Sequence, residues 1–238
     1  MKAKRLVIAA LAGAAAVAAP LAIAPAQAPK AAKAQRDWTQ VIARTPEGGF
    51  RMGNPEAPIK LVEYLSLTCG HCATFAAEGM PALLNEHVRP GRVSVEYRNF
   101  VLNPFDLSAS LLSRCAADRR YFALSGEIMA RQSEWMGRVR DLDRAQVEAI
   151  DSLPPMARLA RIAEITGLTD IAARHGINAD AARACLADEN GVARLVQMRE
   201  AGTALGVHGT PSFLVNGRLV EAHHWAALRP LLRPPGGR

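Results

Sequence analysis

Cys69-Gly70-His71-Cys72 places two sulfurs three residues apart, one helical turn from each other and near enough to bond. Such a pair can cycle between dithiol and disulfide by exchange with another sulfur. At the start of a helix, free backbone N–H groups and the positive end of the macrodipole favour a thiolate at the first cysteine. That setting lowers a cysteine pKa from about 8.5 into the range of about 3.5 to 7.5. Cys69 is therefore the expected attacking sulfur, and Cys72, inside the first turn, the buried one that resolves a mixed disulfide. His71 adds a ring N–H or a positive charge beside Cys69, and Gly70 leaves the turn unconstrained. Half of a zinc site would need a second pair of ligands, whereas Cys115 and Cys185 stand alone, so no metal is expected. Spacing leaves a static disulfide open, and the position of the pair in the chain argues against it.

The elements that must hold this pair are legible on both sides of it. IKLVEYLSL (59–67) is rich in branched apolar residues and bounded by Pro58 and Thr68-Cys69-Gly70, which predicts a buried strand. Helical spacing of Phe75, Met80, Leu83 and Leu84 predicts a helix over 73–87, kinked at Pro81. RVSVEYRNFV (92–101) reads as a second strand. From 106 to about 204 the chain is helix-forming, over 108–123, 126–136, 144–150, 154–165, 170–175, 180–187 and 190–205, with Ser108, Asp143, Thr169 and Asn178 as candidate caps. Residues 211–215 and 218–220 flank Asn216-Gly217, the signature of a tight hairpin, and 223–232 reads as a closing helix. The cysteine pair thus sits where a strand passes into a helix, in an α/β unit interrupted by a helical insertion.

Lys2, Lys4 and Arg5 precede an apolar run, Leu6 to Ile23, and the small-residue triplet Ala26-Gln27-Ala28, the pattern of a cleaved signal peptide over 1–28. An uncleaved anchor is the alternative, since about 18 apolar residues just span a bilayer. Residues 29–47 read as a flexible leader and lead-in. The three leader cations account for three of the net charge of +7, leaving +4 with arginines scattered, a solubility feature that argues against nucleic-acid binding. His223-His224 reads as a solvated helix start, Trp38 and Trp135 as packing or groove residues. Gly206-Val207-His208-Gly209 follows a helix and so is no phosphate loop.

LVEYLSLTCGHC (61–72), with GVHGTPSFLVNGRLVEA (206–222) far downstream, resembles the DsbA family of bacterial thiol–disulfide oxidoreductases, over about 48–232. The resemblance implies an α/β thioredoxin fold with a large inserted helical domain: 48–105 and 205–238 as the two parts of the thioredoxin fold and 106–204 as the insertion. It implies Cys69 as nucleophile, Cys72 as resolving cysteine, and Pro211 as a cis-proline that turns the Thr210 backbone toward Cys69 to pair with an extended substrate. Glu63 matches a buried acid that would relay the Cys72 proton, with the strand edge as its alternative location and Arg98 as a candidate basic companion. Related members carry cysteines near Cys115 and Cys185. Their pairing would close a long loop, two free thiols being the alternative.

One departure is Gly70 where DsbA usually has proline, giving the Cys-Gly-His-Cys of disulfide isomerases. Potentials run from about −270 mV in thioredoxin through −180 mV in disulfide isomerase to −120 mV in DsbA, so a weaker oxidant is expected. The family implies no cofactor beyond the protein's own disulfide. Expected partners are exported cysteine-containing proteins and a membrane redox protein that recharges the pair, in the periplasm. With little chain ahead of the fold for a dimerisation domain, a monomer is expected. Competing readings are a periplasmic thiolate metal chaperone, which the lack of a methionine- or histidine-rich segment disfavours, and a glutathione-dependent transferase or isomerase, which has no need of both cysteines.

Overall fold

The computed structural model describes residues 36–233. The expected signal peptide, and residues 29–35 of the leader, lie outside them. Six strands form one sheet: β1 (Ile42–Arg44), β2 (Phe50–Gly53), β3 (Ile59–Leu65), β4 (Val93–Asn99), β5 (Ser212–Val215) and β6 (Arg218–Val220), in the order β1-β2-β4-β3-β5-β6. β3 lies centrally, parallel to β4 and antiparallel to β5, with Glu63 opposite Tyr97 on one side and Phe213 on the other. Buried on both faces, it carries the apolar run that such a strand requires. Alternation puts Leu61, Glu63 and Leu65 on one face, the two leucines in the cluster that holds Cys72 and Phe75. Val62 and Tyr64 take the other, with Phe100, Val207 and Leu214.

The helices are α1 (Gly70–Glu78), α2 (Met80–Leu83), α3 (Pro104–Cys115), α4 (Tyr121–Ala130), α5 (Gln132–Arg140), α6 (Arg144–Asp151), α7 (Pro155–Thr166), α8 (Leu168–Arg174), α9 (Ala179–Leu186), α10 (Glu189–Ala204) and α11 (Trp225–Leu228). Thus α3 to α10 are inserted between β4 and β5. Asn216 (φ 50°) and Gly217 (φ 79°) make the expected tight turn, and Asn216 Oδ1 accepts from the Lys60 N–H at 2.8 Å, tying the hairpin to β3. Trp135 is buried with its indole N–H on the Ile128 carbonyl at 2.9 Å, and the Trp38 ring lies over Gly91, where a Cβ would come within 2.7 Å of it. Both tryptophans are packing residues. Among the described residues no helix is long and apolar enough to cross a membrane.

Several boundaries differ from expectation for local reasons. The helix expected over 73–87 begins at Gly70, breaks at Gly79, restarts as α2 with Pro81 in its first turn, and ends in a π-helical turn, Leu84–Val88. Proline is tolerated there because first-turn N–H groups have no partner to lose. The first inserted helix starts at Pro104 and is capped by Asn103, whose side chain accepts from Asp106 N–H at 2.9 Å. Ser108, expected as the cap, is buried and donates to the Leu159 carbonyl at 3.1 Å, joining α3 to α7. Gly126 lies inside α4 and does not start a helix. Thr169 does not cap α8, because Gly167 at φ 75° turns the chain there. Asp143 and Asn178 cap α6 and α9 as expected. The closing helix is shorter, Trp225–Leu228 followed by a 3-10 turn, Arg229–Leu232. β1, within the expected lead-in, and β2 carried no alternation to announce them. Gly49, between them, leaves no room for a side chain, since a Cβ there would strike Glu96 Oε1.

Candidate functional site

Cys69 is the N-cap of α1, with extended backbone (φ −83°, ψ 120°) and no side-chain capping bond, so its sulfur lies at the free N–H end of the helix. Cys69 and Cys72 are free thiols, Cys69 half-buried and Cys72 fully buried. The Cys72 thiol on the Cys69 sulfur is the largest influence on Cys69. Burial opposes it, and the Thr210 side chain and the N–H groups of Cys72 and His71 reinforce it, leaving Cys69 at about 5. The same bond, with burial and the charge of Glu63, drives Cys72 far above the thiol range. One sulfur is thus a thiolate at neutral pH and its neighbour holds its proton.

Thr210-Pro211 is cis, and the Thr210 carbonyl lies 3.2 Å from Cys69 Sγ, placed to accept from it when the thiol is protonated. The Thr210 hydroxyl is buried and makes no hydrogen bond of standard geometry, though it lies close enough to act on Cys69. The structure therefore brings Thr210 and Pro211 to Cys69 across 141 residues. His71 is exposed, its backbone N–H toward the Cys69 sulfur.

Glu63 is buried, not at an edge: it is 1 % exposed and neither carboxyl oxygen has a hydrogen-bond partner. Burial, and then the charge on Cys69, push its pKa well above the ordinary carboxylate value. Glu63 and the two cysteines therefore lie close enough for the charge of one to act on the others. Tyr97, its neighbour in register, is also pushed up, by burial and then by Glu63. Arg98 is no companion to Glu63. β4 alternation sends it to the opposite face, where Nε donates to Glu96 Oε1 at 2.7 Å and Nη1 to Tyr64 Oη at 3.3 Å.

Three further residues, none of them expected from the sequence, hold the loop before Cys69. Gln132, first residue of α5, donates from Nε2 to the Leu67 carbonyl at 2.9 Å and to the Cys69 carbonyl at 3.0 Å. Asp106, fully buried, accepts from Leu67 N–H and Leu102 N–H, each at 2.9 Å. Burial raises its carboxyl to about 6 against these bonds. Asn103 Nδ2 donates to Thr68 Oγ1 at 3.1 Å. The insertion therefore grips both polar groups of Leu67 and the carbonyl of Cys69. Asn103-Pro104-Phe105-Asp106 is a helix-start signature that would have located two of the three; nothing marks Gln132.

Cys115 and Cys185 are joined, Cα atoms 5.9 Å apart, linking α3 to α9 away from the Cys69 pair. His223 Nδ1 lies 3.1 Å from the Pro211 carbonyl and His224 caps α11.

A family model described as Thioredoxin matches residues 45–233. The crystal structure of a protein-disulfide isomerase from Novosphingobium aromaticivorans superposes with a TM-score of 0.72 at 34% identity, covering 76% of this chain and 94% of that one. Wolbachia pipientis alpha-DsbA1 shares the fold, with a TM-score of 0.62 at 21% identity over 79% of this chain and 91% of that one. A Rickettsia bellii relative that carries the provisional name protein-disulfide oxidoreductase is 29% identical over 76% of this chain and 62% of its own length. The chain spans about three fifths of the curated relatives it matches first. The match over most of the described residues, the Cys-Gly-His-Cys at a helix start and the helices set between β4 and β5 place it: the chain belongs to the thioredoxin family and has the fold of DsbA.

Proposed function

We propose that the protein forms or rearranges disulfides in exported proteins by exchange through the Cys69-Cys72 pair. The observation that carries this reading is the Cys69 sulfur at the N-cap of α1, beside the buried Cys72 and 3.2 Å from the Thr210 carbonyl, a setting that lowers Cys69 to about 5. In the oxidising direction a substrate thiolate attacks Cys69 of the Cys69-Cys72 disulfide. The S–S electrons leave on Cys72, which takes a proton from Glu63. A second substrate thiolate attacks the substrate sulfur of the mixed disulfide and expels Cys69 as a stable thiolate. The substrate loses two electrons and its thiol protons, the enzyme disulfide gains two electrons, and solvent returns the proton to Glu63. Run backwards, the same steps reduce or reshuffle. Thr210 pairs with the extended substrate, Pro211 fixes the loop, and His71 lends its N–H. The joined Cys115 and Cys185 are structural, and no cofactor takes part.

The domain reading follows: a signal peptide over 1–28, a leader and lead-in over 29–47, the thioredoxin fold over 48–105 and 205–238, and the insertion over 106–204. Function in the periplasm as a monomer, with a membrane protein that reoxidises the pair, completes the proposal. It rests on the leader pattern and the chemistry of a catalyst that ends each oxidation reduced. The names of the relatives support cysteine-containing proteins as substrates. Reactivation of reduced and of scrambled ribonuclease tests it. Wild-type protein accelerates at least one reaction and Cys69→Ser neither; equal activity of the two proteins contradicts the proposal.

A further inference from the structure

Asp106 is fully buried in the first turn of α3, and the exchange steps make no use of it. An acid in that position ordinarily serves its own helix by reaching back to an N–H at the helix start. The Oδ2 bond to Leu102 N–H, just ahead of the Asn103 cap, is of that kind. The Oδ1 bond is not, since it reaches Leu67 N–H, 39 residues away in sequence and close before Cys69. Oδ1 also accepts from Ser110 Oγ at 3.4 Å. Behind Ser110 every bond donates in the same direction. Asn99 Nδ2 donates to Ser110 Oγ at 3.1 Å, and Asn99 Oδ1 accepts from Arg114 Nη1 at 3.3 Å and from Tyr121 Oη at 3.1 Å. A buried cation near the far end of α3 is thus joined to the carboxylate through two fully buried neutral side chains. A buried polar chain of this sort, satisfied at each member, fixes its ends rigidly.

The carboxylate sits where two strands run out. β3 ends at Leu65 and β4 at Asn99, and from there one chain goes on to Cys69 and the other to α3. Asp106 takes one N–H from each. Gln132 holds the Leu67 carbonyl, so both polar groups of Leu67 are fixed. Beyond Leu67 the turn is closed by Cys69 N–H on the Ser66 carbonyl at 3.3 Å, and Cys69 then caps α1. The N–H groups of His71 and Cys72 reach the Cys69 sulfur only while that cap geometry stands. Release of Leu67 N–H loosens the entry to the turn, and with it the seat of the sulfur.

We propose that Asp106 is a positioning residue for the exchange reaction: by holding Leu67 N–H it keeps the Cys69 sulfur on the N–H groups of α1, and the chain through Ser110 and Asn99 to Arg114 keeps the carboxylate in place to do so. The inference rests on the thiol–disulfide function and assigns to it a residue that acts through the backbone.

Asp106→Asn keeps the shape, removes the charge and turns an amide N–H toward one of the two backbone donors. In the full-length protein the ultraviolet thiolate titration of Cys69 is expected to move up from about 5 by about one unit, tenfold in thiolate stability, as one lost hydrogen bond supplies. The equilibrium with glutathione at neutral pH moves about tenfold toward the disulfide, because the reduced form loses that stability. Ser110→Ala is the comparison. It takes a buried hydroxyl from the same carboxylate and leaves Leu67 held, so it lowers stability in urea and leaves the Cys69 midpoint in place. Asp106→Asn that lowers stability with midpoint and equilibrium unchanged, or Ser110→Ala that moves the midpoint as far, overturns the proposal. Should Asp106→Asn not fold, amide hydrogen exchange of the wild type provides the test. By linkage, a hold that favours the thiolate is itself tightened by it, so the Leu67 amide exchanges about tenfold more slowly in the reduced protein than in the oxidised one. Equal exchange in the two forms overturns the proposal. A wild type that reactivates neither reduced nor scrambled ribonuclease would instead overturn the function on which it rests.

Discussion

Glu63→Leu and Glu63→Gln separate what the buried carboxyl does for chemistry from what it does to stability. Both oxygens of Glu63 are buried without partners between Tyr97 and Phe213. An unsatisfied buried polar group costs about 1 to 3 kcal/mol. Leucine has a similar volume and joins Leu61, Leu65 and Phe75, so Glu63→Leu stabilises the protein by about that amount, or about 2 to 12 °C in Tm for a chain of this size. Glutamine keeps a polar, unpartnered group and gains nothing. The folded pKa of Glu63 is raised, so the relative stability of the wild type is fully present below the ordinary glutamate value of 4.5 and is lost as pH rises toward the folded value. The advantage of leucine therefore grows from acid to neutral pH. Both variants lose the proton source for Cys72, and the exchange step at neutral pH slows by about 100-fold or more. Thermal unfolding across pH and stopped-flow reduction of the oxidised protein read the two effects. Leucine that destabilises at neutral pH, or either variant exchanging at the wild-type rate, refutes the reasoning.

Gln132→Ala frees the Leu67 and Cys69 carbonyls; the ultraviolet thiolate titration of Cys69 moves up from about 5, and an unmoved midpoint shows the grip to be idle. Gly70→Pro fits the first helical position, where a Cβ meets only Gln132 Oε1 at 3.9 Å and the N–H groups on Cys69 come from His71 and Cys72. The fixed φ holds the first turn around the thiolate, so the potential against glutathione rises; an unchanged or lower value contradicts this. Cys115→Ala with Cys185→Ala opens a link of sequence separation 70 and costs about 4 kcal/mol in urea unfolding while leaving the Cys69 titration in place; a cost below about 1 kcal/mol would mean the link adds no constraint.

The parts legible in the sequence were those with local causes. A two-face-buried strand, Asn-Gly in a hairpin and two cysteines at a helix start each announce themselves within a few residues. β1 and β2 did not, because three- and four-residue strands owe their pairing to β4 and to the fit of Gly49 against Glu96. Glu63 was visible as an acid in an apolar run, yet its face depends on strand register, as does the exile of Arg98 to the other side of the sheet. Gln132 was invisible because its role comes from the docking of α5 against the loop before Cys69, 63 residues away in sequence.

Equilibration of the Cys69-Cys72 pair against glutathione buffers tests the central claim most directly. A single two-electron transition between about −180 and −120 mV, absent in Cys69→Ser, is the expected result and marks a catalyst that oxidises or reshuffles disulfides. A midpoint at or below about −270 mV would make the pair a reductant, and no transition at all would leave the two sulfurs without a shared redox role.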